Sequence, residues 1–192
     1  MPTVDDSPRT RILAAAYAEF AAHGLAGARV DRISRAARTS KERLYVHYTS
    51  KEKLFAAVVA ASMNAWLHAV PFDATDLPGW AEALFRYFEE HGEDARLLFW
   101  AALVDADFAA VPDVDRAALD QRRADIRAAQ DAGTLDDRWT ANELVTMVFG
   151  LVLAWSVTPQ FPDAADPDLE PGRGRDRAAV LRDTVARAVA PR

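Results

Sequence analysis

The pattern of apolar and polar residues has a helical period along most of the chain. Apolar residues recur at spacings of three and four, which places them on one face of a helix. No segment shows the strict alternation of a half-buried strand. The pattern predicts helices over residues 8–23, 30–37, 41–46, 50–70, 79–91, 93–107, 112–132, 140–157 and 175–190. We therefore expect an all-α protein.

Residues that favour helix ends support these boundaries. Glycine at 24 and at 133 is typical of the position after the last helical residue. Proline-containing segments at 71–78 and 158–174 predict loops between helices. Hydroxyl side chains at the predicted starts are typical N-caps, and the last of them forms a capping box with a glutamate: Ser7, Ser40, Ser50 and Thr140.

Composition narrows the class of protein. The chain has 192 residues, 51% of them hydrophobic, which is enough for a sizeable buried core. It has no cysteine, so a disulfide framework and a cysteine-ligated metal site are excluded. The N-terminus lacks the apolar segment of a secretory signal, and no apolar run reaches the roughly 18–20 residues of a membrane-spanning helix. We expect a cytoplasmic protein that does not enter a membrane.

Charge is distributed unevenly. Residues 1–53 contain ten Lys and Arg against six Asp and Glu, whereas the rest of the chain contains thirteen against twenty-three. The formal charges are therefore +4 and −10, which sum to the −6 of the whole chain. This asymmetry predicts a small head that binds an anion, attached to an acidic body. Chance and the charge preferences of helix ends are the simpler alternative.

The basic head has the pattern of a helix-turn-helix motif. Three short helices are predicted within the first 48 residues, and a tight turn joins the second and third. The third would enter the DNA major groove, with its cations near bases and phosphates. The candidate DNA-binding residues are Arg29, Thr39, Ser40, Lys41, Arg43, Tyr45, His47 and Lys51. Tyr45 and His47 could instead pack in the core without contacting DNA. Arg29 could instead be an ordinary solvated side chain.

Two sequence segments carry a family resemblance. They are "RILAAAYAEFAAHG" and "VDRISRAARTSKERLYVHYTSKEKLF", and together they resemble the DNA-binding region of the TetR family of bacterial transcriptional regulators. The chain departs from the family pattern at the turn, where Arg38-Thr39 replaces Gly-Val, and at Glu42-Arg43, which replaces Gly-Thr. Since glycine serves a left-handed backbone position, we predict an ordinary helix-turn-helix geometry, with Arg38 near that conformation or with the turn slightly opened. The matching positions are Ile12, Leu13, Ala15, Ala16, Phe20, Gly24, Ile33, Ala37, Ser40, Leu44, Tyr45, His47, Ser50, Lys51, Glu52 and Leu54.

The resemblance implies a division of labour along the chain. Residues 1–50 would form a helix-turn-helix head of three helices, and residues 51–192 a regulatory body of roughly six helices. The body would hold an apolar cavity for an unknown small apolar or amphipathic effector. The alternative is that the aromatic residues of the body are ordinary core residues and line no cavity. The candidate lining residues are Trp66, His68, Phe88, Trp100 and Met147.

The eighth predicted helix is apolar on nearly every side, which indicates burial on nearly every side. The resemblance implies that this helix and the last one form a four-helix interface in a homodimer. A core helix in a monomer is the alternative. The candidate interface residues are Leu144, Val148, Leu151, Trp155, Leu181 and Val185.

The expected function is a ligand-responsive transcriptional repressor that binds a palindromic double-stranded DNA operator as a homodimer. In this scheme an effector shifts the dimer away from its DNA-binding state. The sequence contains no P-loop, nucleophile elbow or paired metal motif, so no enzyme activity, cofactor or metal is expected. The alternative is an all-helical protein that binds a small molecule or a partner and carries a non-functional head.

Overall fold

The computed structural model describes residues 7–104, 113–157 and 176–191. Within these ranges the chain forms nine α-helices and one 3-10 turn, with no strand, so the all-α prediction is confirmed. The helices are α1 (Pro8–Gly27), α2 (Val30–Ala36), α3 (Lys41–His47), α4 (Lys51–Ala69), α5 (Leu77–Glu90), α6 (Gly92–Leu103), α7 (Arg116–Asp131), α8 (Ala141–Val157) and α9 (Arg177–Val189).

The predicted signals at helix ends are confirmed by their hydrogen bonds. The Ser7 hydroxyl accepts from the backbone N–H of Thr10 at 3.3 Å, ahead of Pro8. At α8 the backbone N–H of Thr140 donates to Glu143 at 2.8 Å, and that of Glu143 donates to the Thr140 hydroxyl at 3.2 Å. These bonds satisfy donors that the first helical turn leaves without an intrahelical partner.

The turn between α2 and α3 has the predicted geometry. Arg38 has a φ of 51°, in the left-handed region, although it is not a glycine. The backbone N–H of Thr39 donates to the carbonyl of Ser34 at 2.9 Å, and the Ser40 hydroxyl then caps α3. A non-glycine residue in this conformation costs about 1–2 kcal/mol, which the packing of the surrounding helices offsets. The helix-turn-helix is therefore complete without the usual glycine.

Gly24 breaks α1 and is required there for two reasons. Its φ of 62° and ψ of −177° belong to a region that only glycine occupies readily. A Cβ on Gly24 would also lie 2.6 Å from the ring of Trp100, which is closer than any real contact. The Trp100 indole N–H donates to the carbonyl of Ala21 at 3.3 Å, so α6 is fitted closely onto α1.

The structure differs from the prediction between residues 71 and 79. This segment contains a 3-10 turn at Ala74–Asp76, and α5 starts at Leu77, two residues earlier than predicted. The Asp76 carboxylate accepts from the backbone N–H of Gly79 at 2.9 Å and so serves as a cap. Pro78 is tolerated in the first turn because no N–H is needed there. The predicted loop at 158–174, the predicted end of α6 and the predicted start of α7 at residue 112 lie outside the described residues.

The chain divides into two compact units. Unit 1 comprises residues 1–65 and 91–114, and unit 2 comprises residues 66–90 and 115–192, so the boundary falls inside α4. This grouping differs from the predicted division at residue 50, which concerned function and stays a prediction. Unit 1 adds α6 and most of α4 to the three helices of the head.

Each unit has its own buried core. In unit 1, Phe20 packs edge-on against Phe55 with ring centroids 5.1 Å apart. The buried carboxylate of Asp94 in α6 accepts from the hydroxyls of Tyr17 in α1 and Ser62 in α4. In unit 2, α5 packs against α8 and α9, and α7 packs against α8. Fully buried side chains of unit 2 include Leu77, Leu84, Ile126, Leu144 and Leu181.

Among the described helices, none alone has the length and apolar character needed to cross a bilayer; the bent pair formed by residues 51–69 and 74–90 meets the requirement by length and composition only.

Candidate functional site

Helix α3 presents almost all of its side chains to solvent. Leu44 is its one buried residue and anchors the helix on the core of unit 1. Tyr45 is 42% exposed and Val46 80% exposed. A seven-residue helix that buries a single side chain leaves the rest for contacts outside the chain. The exposed side chains are Lys41, Glu42, Arg43, Tyr45, Val46 and His47.

Lys41 makes an ion pair with Asp31 of α2. Its ammonium nitrogen lies 2.6 Å from the Asp31 carboxylate, and both side chains are largely exposed. The hydrogen bond to Asp31, followed by the attraction of its charge, raises the pKa of Lys41 above the ordinary value. An exposed ion pair of this kind contributes little to stability, so a phosphate can displace the carboxylate at small cost.

The other predicted DNA-binding residues have more varied surroundings. The Ser40 hydroxyl accepts from the backbone N–H of Arg43 at 3.2 Å and therefore serves the helix cap. The ammonium of half-buried Lys51 donates to the carbonyl of Ala28 at 3.4 Å. The hydroxyl oxygen of Thr39 is buried, and within the described structure it makes no hydrogen bond. Unit 1 thus contains all eight predicted residues, with four of them exposed on α3.

Glu19 of α1 holds the start of α2 in place, a role that the sequence did not reveal. Its carboxylate accepts from the guanidinium of Arg32 at 2.8 and 2.9 Å and from the backbone N–H of Arg29 at 2.8 Å. Burial raises the pKa of Glu19, but the hydrogen bonds from Arg32 and Arg29 outweigh it and bring the pKa below its usual value. Arg29 is itself exposed at the N-cap of α2.

Unit 2 contains a cavity of about 300 Å³. Its size is at the lower end of the range for small-molecule sites. Helices α4, α5, α7 and α8 all contribute to the wall. The described residues that line it are Trp66, Trp80, Leu119, Arg122, Arg123, Asn142, Val145, Thr146 and Phe149.

Of the five residues predicted to line an effector pocket, Trp66 lines this cavity and the other four do not. The Phe88 ring packs against the rings of Trp66 and Phe149, at 6.3 and 5.9 Å between centroids. His68 is exposed and lies 3.4 Å from the Asp115 carboxylate. Met147 is on the exposed side of α8, and Trp100 belongs to unit 1, where it covers Gly24. The helical period of a sequence does not show whether an aromatic side chain lines a cavity or packs behind the residues that do.

Arg122 is the most unusual residue of the cavity wall. Its side chain projects from α7, and the residue is only 9% exposed. One terminal nitrogen of the guanidinium donates to the carbonyls of Leu67 at 2.6 Å and Val70 at 3.4 Å, at the C-terminal end of α4. Burial lowers the pKa of Arg122. No sequence signal distinguishes this arginine from the other polar residues of α7.

The guanidinium of Arg122 is also surrounded by aromatic rings. It lies 5.8 Å from the ring centroid of Trp66, 5.2 Å from that of Phe72 and 5.7 Å from that of Trp80. These distances are within the range of cation–π attraction. The positive charge is therefore held by carbonyl dipoles and ring faces.

Most of the residues predicted for a dimer interface are buried within a single chain. The exposed fraction is 1% for Leu144, 2% for Val148, 1% for Leu181 and 0% for Val185, so these four pack within the single chain, and their place in a dimer interface stays a prediction. They pack the core of unit 2, because α8 and α9 turn their most regular apolar stripes inward. Leu151 and Trp155 are half-buried, and the Trp155 ring packs on Phe85 at 5.7 Å.

A different stripe of α8 faces outward. Met147 is 39% and Val157 51% exposed, and between them lie exposed Gly150 and half-buried Leu151 and Ala154. The spacing from Met147 through Gly150 and Ala154 to Val157 is three, four, three, as along one side of a helix that faces another helix. Across residues 7–104, 113–157 and 176–191, no three His, Asp or Glu side chains are grouped to hold a metal ion.

Comparison with known families identifies both parts of the chain. Residues 12–58 match the profile of bacterial regulatory proteins of the tetR family. Residues 76–187 match the profile of the tetracyclin repressor-like C-terminal domain, which covers more than half of the chain. The chain belongs to the TetR family.

Individual transcriptional regulators resemble the whole chain. The HTH-type transcriptional repressor SCO4008 of Streptomyces coelicolor is 33% identical over 184 residues, which cover 95% of this chain and 93% of that protein. The crystal structure of SCO4942 of Streptomyces coelicolor, described as a transcriptional regulator, has a TM-score of 0.79 at 36% identity and covers 97% of this chain and 100% of its own.

More distant structures share the fold alone. A TetR-family transcription regulator of Marinobacter aquaeolei VT8 has a TM-score of 0.68 at 23% identity, with full coverage of both chains. FadR of Bacillus subtilis, solved in complex with stearoyl-CoA, has a TM-score of 0.65 at 14% identity and covers 93% of this chain and 95% of its own. The TetR fold thus extends over both units of the chain.

Proposed function

We propose that this TetR-family regulator is a ligand-responsive repressor that binds a palindromic operator as a homodimer. The observation that carries the proposal is the exposure of α3, which follows a tight turn. Of its side chains α3 buries only Leu44, and it exposes its cations and Tyr45. The similarity to a repressor at 33% identity supports the direction of regulation. Such a protein acts where the chromosome is, so we place it in the cytoplasm and assign it no catalytic step.

Two kinds of DNA contact are assigned to the exposed side chains of α3. Lys41 and Arg43 in the first turn approach phosphates and guanine edges, and the Tyr45 hydroxyl and His47 approach the backbone. Val46, which was not predicted, has the apolar side chain needed to contact a thymine methyl group. Arg29 clamps the flanking backbone, with its main chain held by Glu19. Thr39, Ser40 and Lys51 act mainly through the geometry of the turn and the start of α4.

The dimer surface is assigned to the outward stripe of α8. Met147, Gly150, Ala154 and Val157 lie along it, with Leu151 at its edge. A Cβ on Gly150 would meet nothing within 4 Å in the described part of the chain, so no described contact requires glycine there. Glycine on a helix surface allows another helix to approach closely. Two copies joined here would carry two recognition helices to one palindromic site.

The effector site is assigned to the cavity of unit 2. FadR of Bacillus subtilis shows that the TetR fold can hold a ligand as large as stearoyl-CoA, but a cavity of about 300 Å³ suits a smaller molecule. Effector binding and operator binding are linked, so an effector that weakens DNA binding is itself bound more weakly by the DNA-bound protein.

Operator binding is tested by selecting bound sequences from random duplex DNA and measuring affinity against salt concentration. We expect a palindromic consensus and an affinity that falls steeply with salt. Lys41→Ala lowers the affinity and the salt slope by about one phosphate contact, whereas Arg127→Ala, an exposed cation of α7 in unit 2, leaves both unchanged. Equal behaviour of the two variants would remove α3 from the interface and favour a partner-binding protein with a non-functional head.

A further inference from the structure

Arg122 is a buried cation without an acidic partner in the described part of the chain. Its contacts there are the carbonyls of Leu67 and Val70 and the faces of three aromatic rings. Arginine has five N–H donors, and only one terminal nitrogen of Arg122 is used in these hydrogen bonds. Removing a charge from water costs several kcal/mol unless it is compensated. Carbonyl dipoles and ring faces compensate part of this cost and leave donors available.

The cavity wall offers hydrogen-bond donors and positive charge. Among the described lining residues the charged ones are Arg122 and Arg123, with no Asp or Glu. The indole nitrogens of Trp66 and Trp80 make no hydrogen bond in the described structure, but they have almost no accessible surface and so offer no donor to the cavity. The Thr146 hydroxyl already donates to the carbonyl of Asn142 at 2.7 Å. A cationic ligand, or a neutral one without acceptor oxygens, would leave the free donors of Arg122 without acceptors.

The remaining lining is apolar and partly aromatic. The rings of Trp66 and Phe149 lie 5.3 Å apart, and Leu119 and Val145 also line the cavity. Arg123 pairs with Asp120 in its own helix, so its charge is already compensated. Arg122 therefore supplies the one charge of the described wall that has no carboxylate partner, beside a surface that suits a flat or branched hydrocarbon body.

We propose that the effector is a small amphipathic organic acid whose carboxylate pairs with Arg122 while its hydrocarbon body packs among the apolar and aromatic side chains of the cavity. This deepens the proposed function and rests on it, because it names the chemical class of the effector. A guanidinium and a carboxylate form paired, charge-assisted hydrogen bonds. The aromatic rings around the pair exclude water and strengthen it.

The competing explanation is that Arg122 only supports the fold. A cation at the C-terminal end of α4 interacts favourably with the negative end of the helix dipole, and the ring contacts add packing. On that explanation the cavity has no preference for acids. Ligand charge is therefore the variable to test, at constant size and shape.

The first experiment uses the natural chain and three aromatic probes of equal skeleton: 2-naphthoate, 2-naphthamide and 2-naphthylmethylammonium. A matched aliphatic pair, octanoate and octanamide, covers a second body shape. Affinity is measured by isothermal titration calorimetry at neutral pH, without DNA. We expect at least one acid to bind about tenfold or more tightly than its amide, with the ammonium weakest. Equal affinity across charge, preference for the ammonium or the absence of acid binding overturns the proposal.

The second experiment assigns the preference to Arg122. In Arg122→Met the acid-to-amide affinity ratio falls to about one, and in Arg122→Lys it stays above one. Arg123→Met, the matched control in the same helix, keeps the natural ratio. A purely structural role would lower the melting temperature of Arg122→Met without changing the ratio. If Arg122→Met does not fold, the ratio in Arg122→Lys decides: a value equal to that of the natural chain contradicts pairing through the guanidinium fork.

Operator binding is measured separately, so that the two proposals fail in different ways. An acid that binds selectively but does not change operator affinity leaves the site in place and contradicts the ligand response. If the chain binds its operator but binds no acid, the DNA-binding function remains in place and the acid site is contradicted.

Discussion

The helix-turn-helix and the cavity both use cations, but in opposite surroundings. Lys41 is exposed, and its partner Asp31 is exposed beside it. Arg122 is buried, and in the described structure carbonyls and rings hold it instead of a carboxylate. An exposed pair in water exchanges partners at small cost, which suits a surface that meets many phosphates. A buried charge is costly wherever it lacks a partner, which suits selective recognition of one ligand group.

The two regions also differ in how far apart their residues are in sequence. The predicted DNA-binding residues fall between Arg29 and Lys51, whereas the lining of the cavity extends from Trp66 to Phe149. The contrast is not absolute, because the head depends on α6 through Trp100 and Asp94.

Gly24→Ala tests whether the head relies on long-range packing as the cavity does. The substitution places a Cβ against the Trp100 ring and forces alanine into a conformation that suits glycine. We expect a loss of about 3 kcal/mol in the free energy of unfolding, from backbone strain and overpacking together. Urea denaturation measures it. Gly133→Ala is the control, because Gly133 also has a positive φ, of 71°, but a Cβ there meets no described atom within 4 Å. This substitution should cost about 1 kcal/mol. Equal losses would mean that the Trp100 contact does not matter.

Gly150→Trp tests whether the outward stripe of α8 joins two subunits. A Cβ there meets no described atom within 4 Å, whereas a large side chain would block a close helix pair. We expect the dimer dissociation constant to rise about a hundredfold, measured by sedimentation velocity, with an unchanged far-UV circular dichroism spectrum. Ala128→Trp, on an exposed position of α7, is the control. Unchanged dimerisation of the Gly150 variant would assign the interface elsewhere.

Glu19→Gln tests how firmly the start of α2 is held. The pKa of Glu19 in the folded chain is lower than its ordinary value of 4.5, so its ionised form stabilises the fold above that pH. This contribution is lost as the pH falls through the lower, folded value. We expect the variant to be less stable by about 1–2 kcal/mol at neutral pH, and the difference to shrink below about pH 4.

Thermal unfolding from pH 7 to pH 3 measures this difference in stability, with Glu90→Gln as the exposed control. A difference that does not depend on pH would contradict the ionised pairing.

Asp31→Asn tests whether the Lys41 pair is as exchangeable as its exposure indicates. The substitution frees Lys41 and removes a negative charge near the DNA phosphates. We expect operator affinity to rise about two- to threefold at low salt, with a smaller gain at high salt because exposed charges are screened. Fluorescence anisotropy measures it. The control Asp183→Asn opens the exposed Arg187 pair of α9 and should change nothing. A weaker operator complex for Asp31→Asn would mean that Asp31 positions Lys41 for DNA.

Much of the chain was determined by nearest neighbours in sequence. The caps at Ser7, Ser40 and Thr140 and the break at Gly24 were predictable because they depend on hydrogen bonds or backbone angles within one turn of a helix, although α1 resumes beyond Gly24 and ends at Gly27. The turn at Arg38 was predictable for the same reason. Its φ of 51° is what a tight turn between the neighbouring helices α2 and α3 requires. The start of α5 was misjudged because Asp76 and Pro78 favour both a loop and a first helical turn.

Only the tertiary structure decided which side of each body helix faces inward. Leu144 and Met147 are both apolar and three residues apart, yet the first is 1% exposed and the second 39%. Periodicity shows that such a helix is buried on several sides, but not whether a given side meets its own chain, a cavity or a partner. Arg122 shows the same limit, since its role arises from carbonyls and rings at positions 66–80, far from it in sequence. Contacts between distant segments form only when the chain folds, and no local pattern records them.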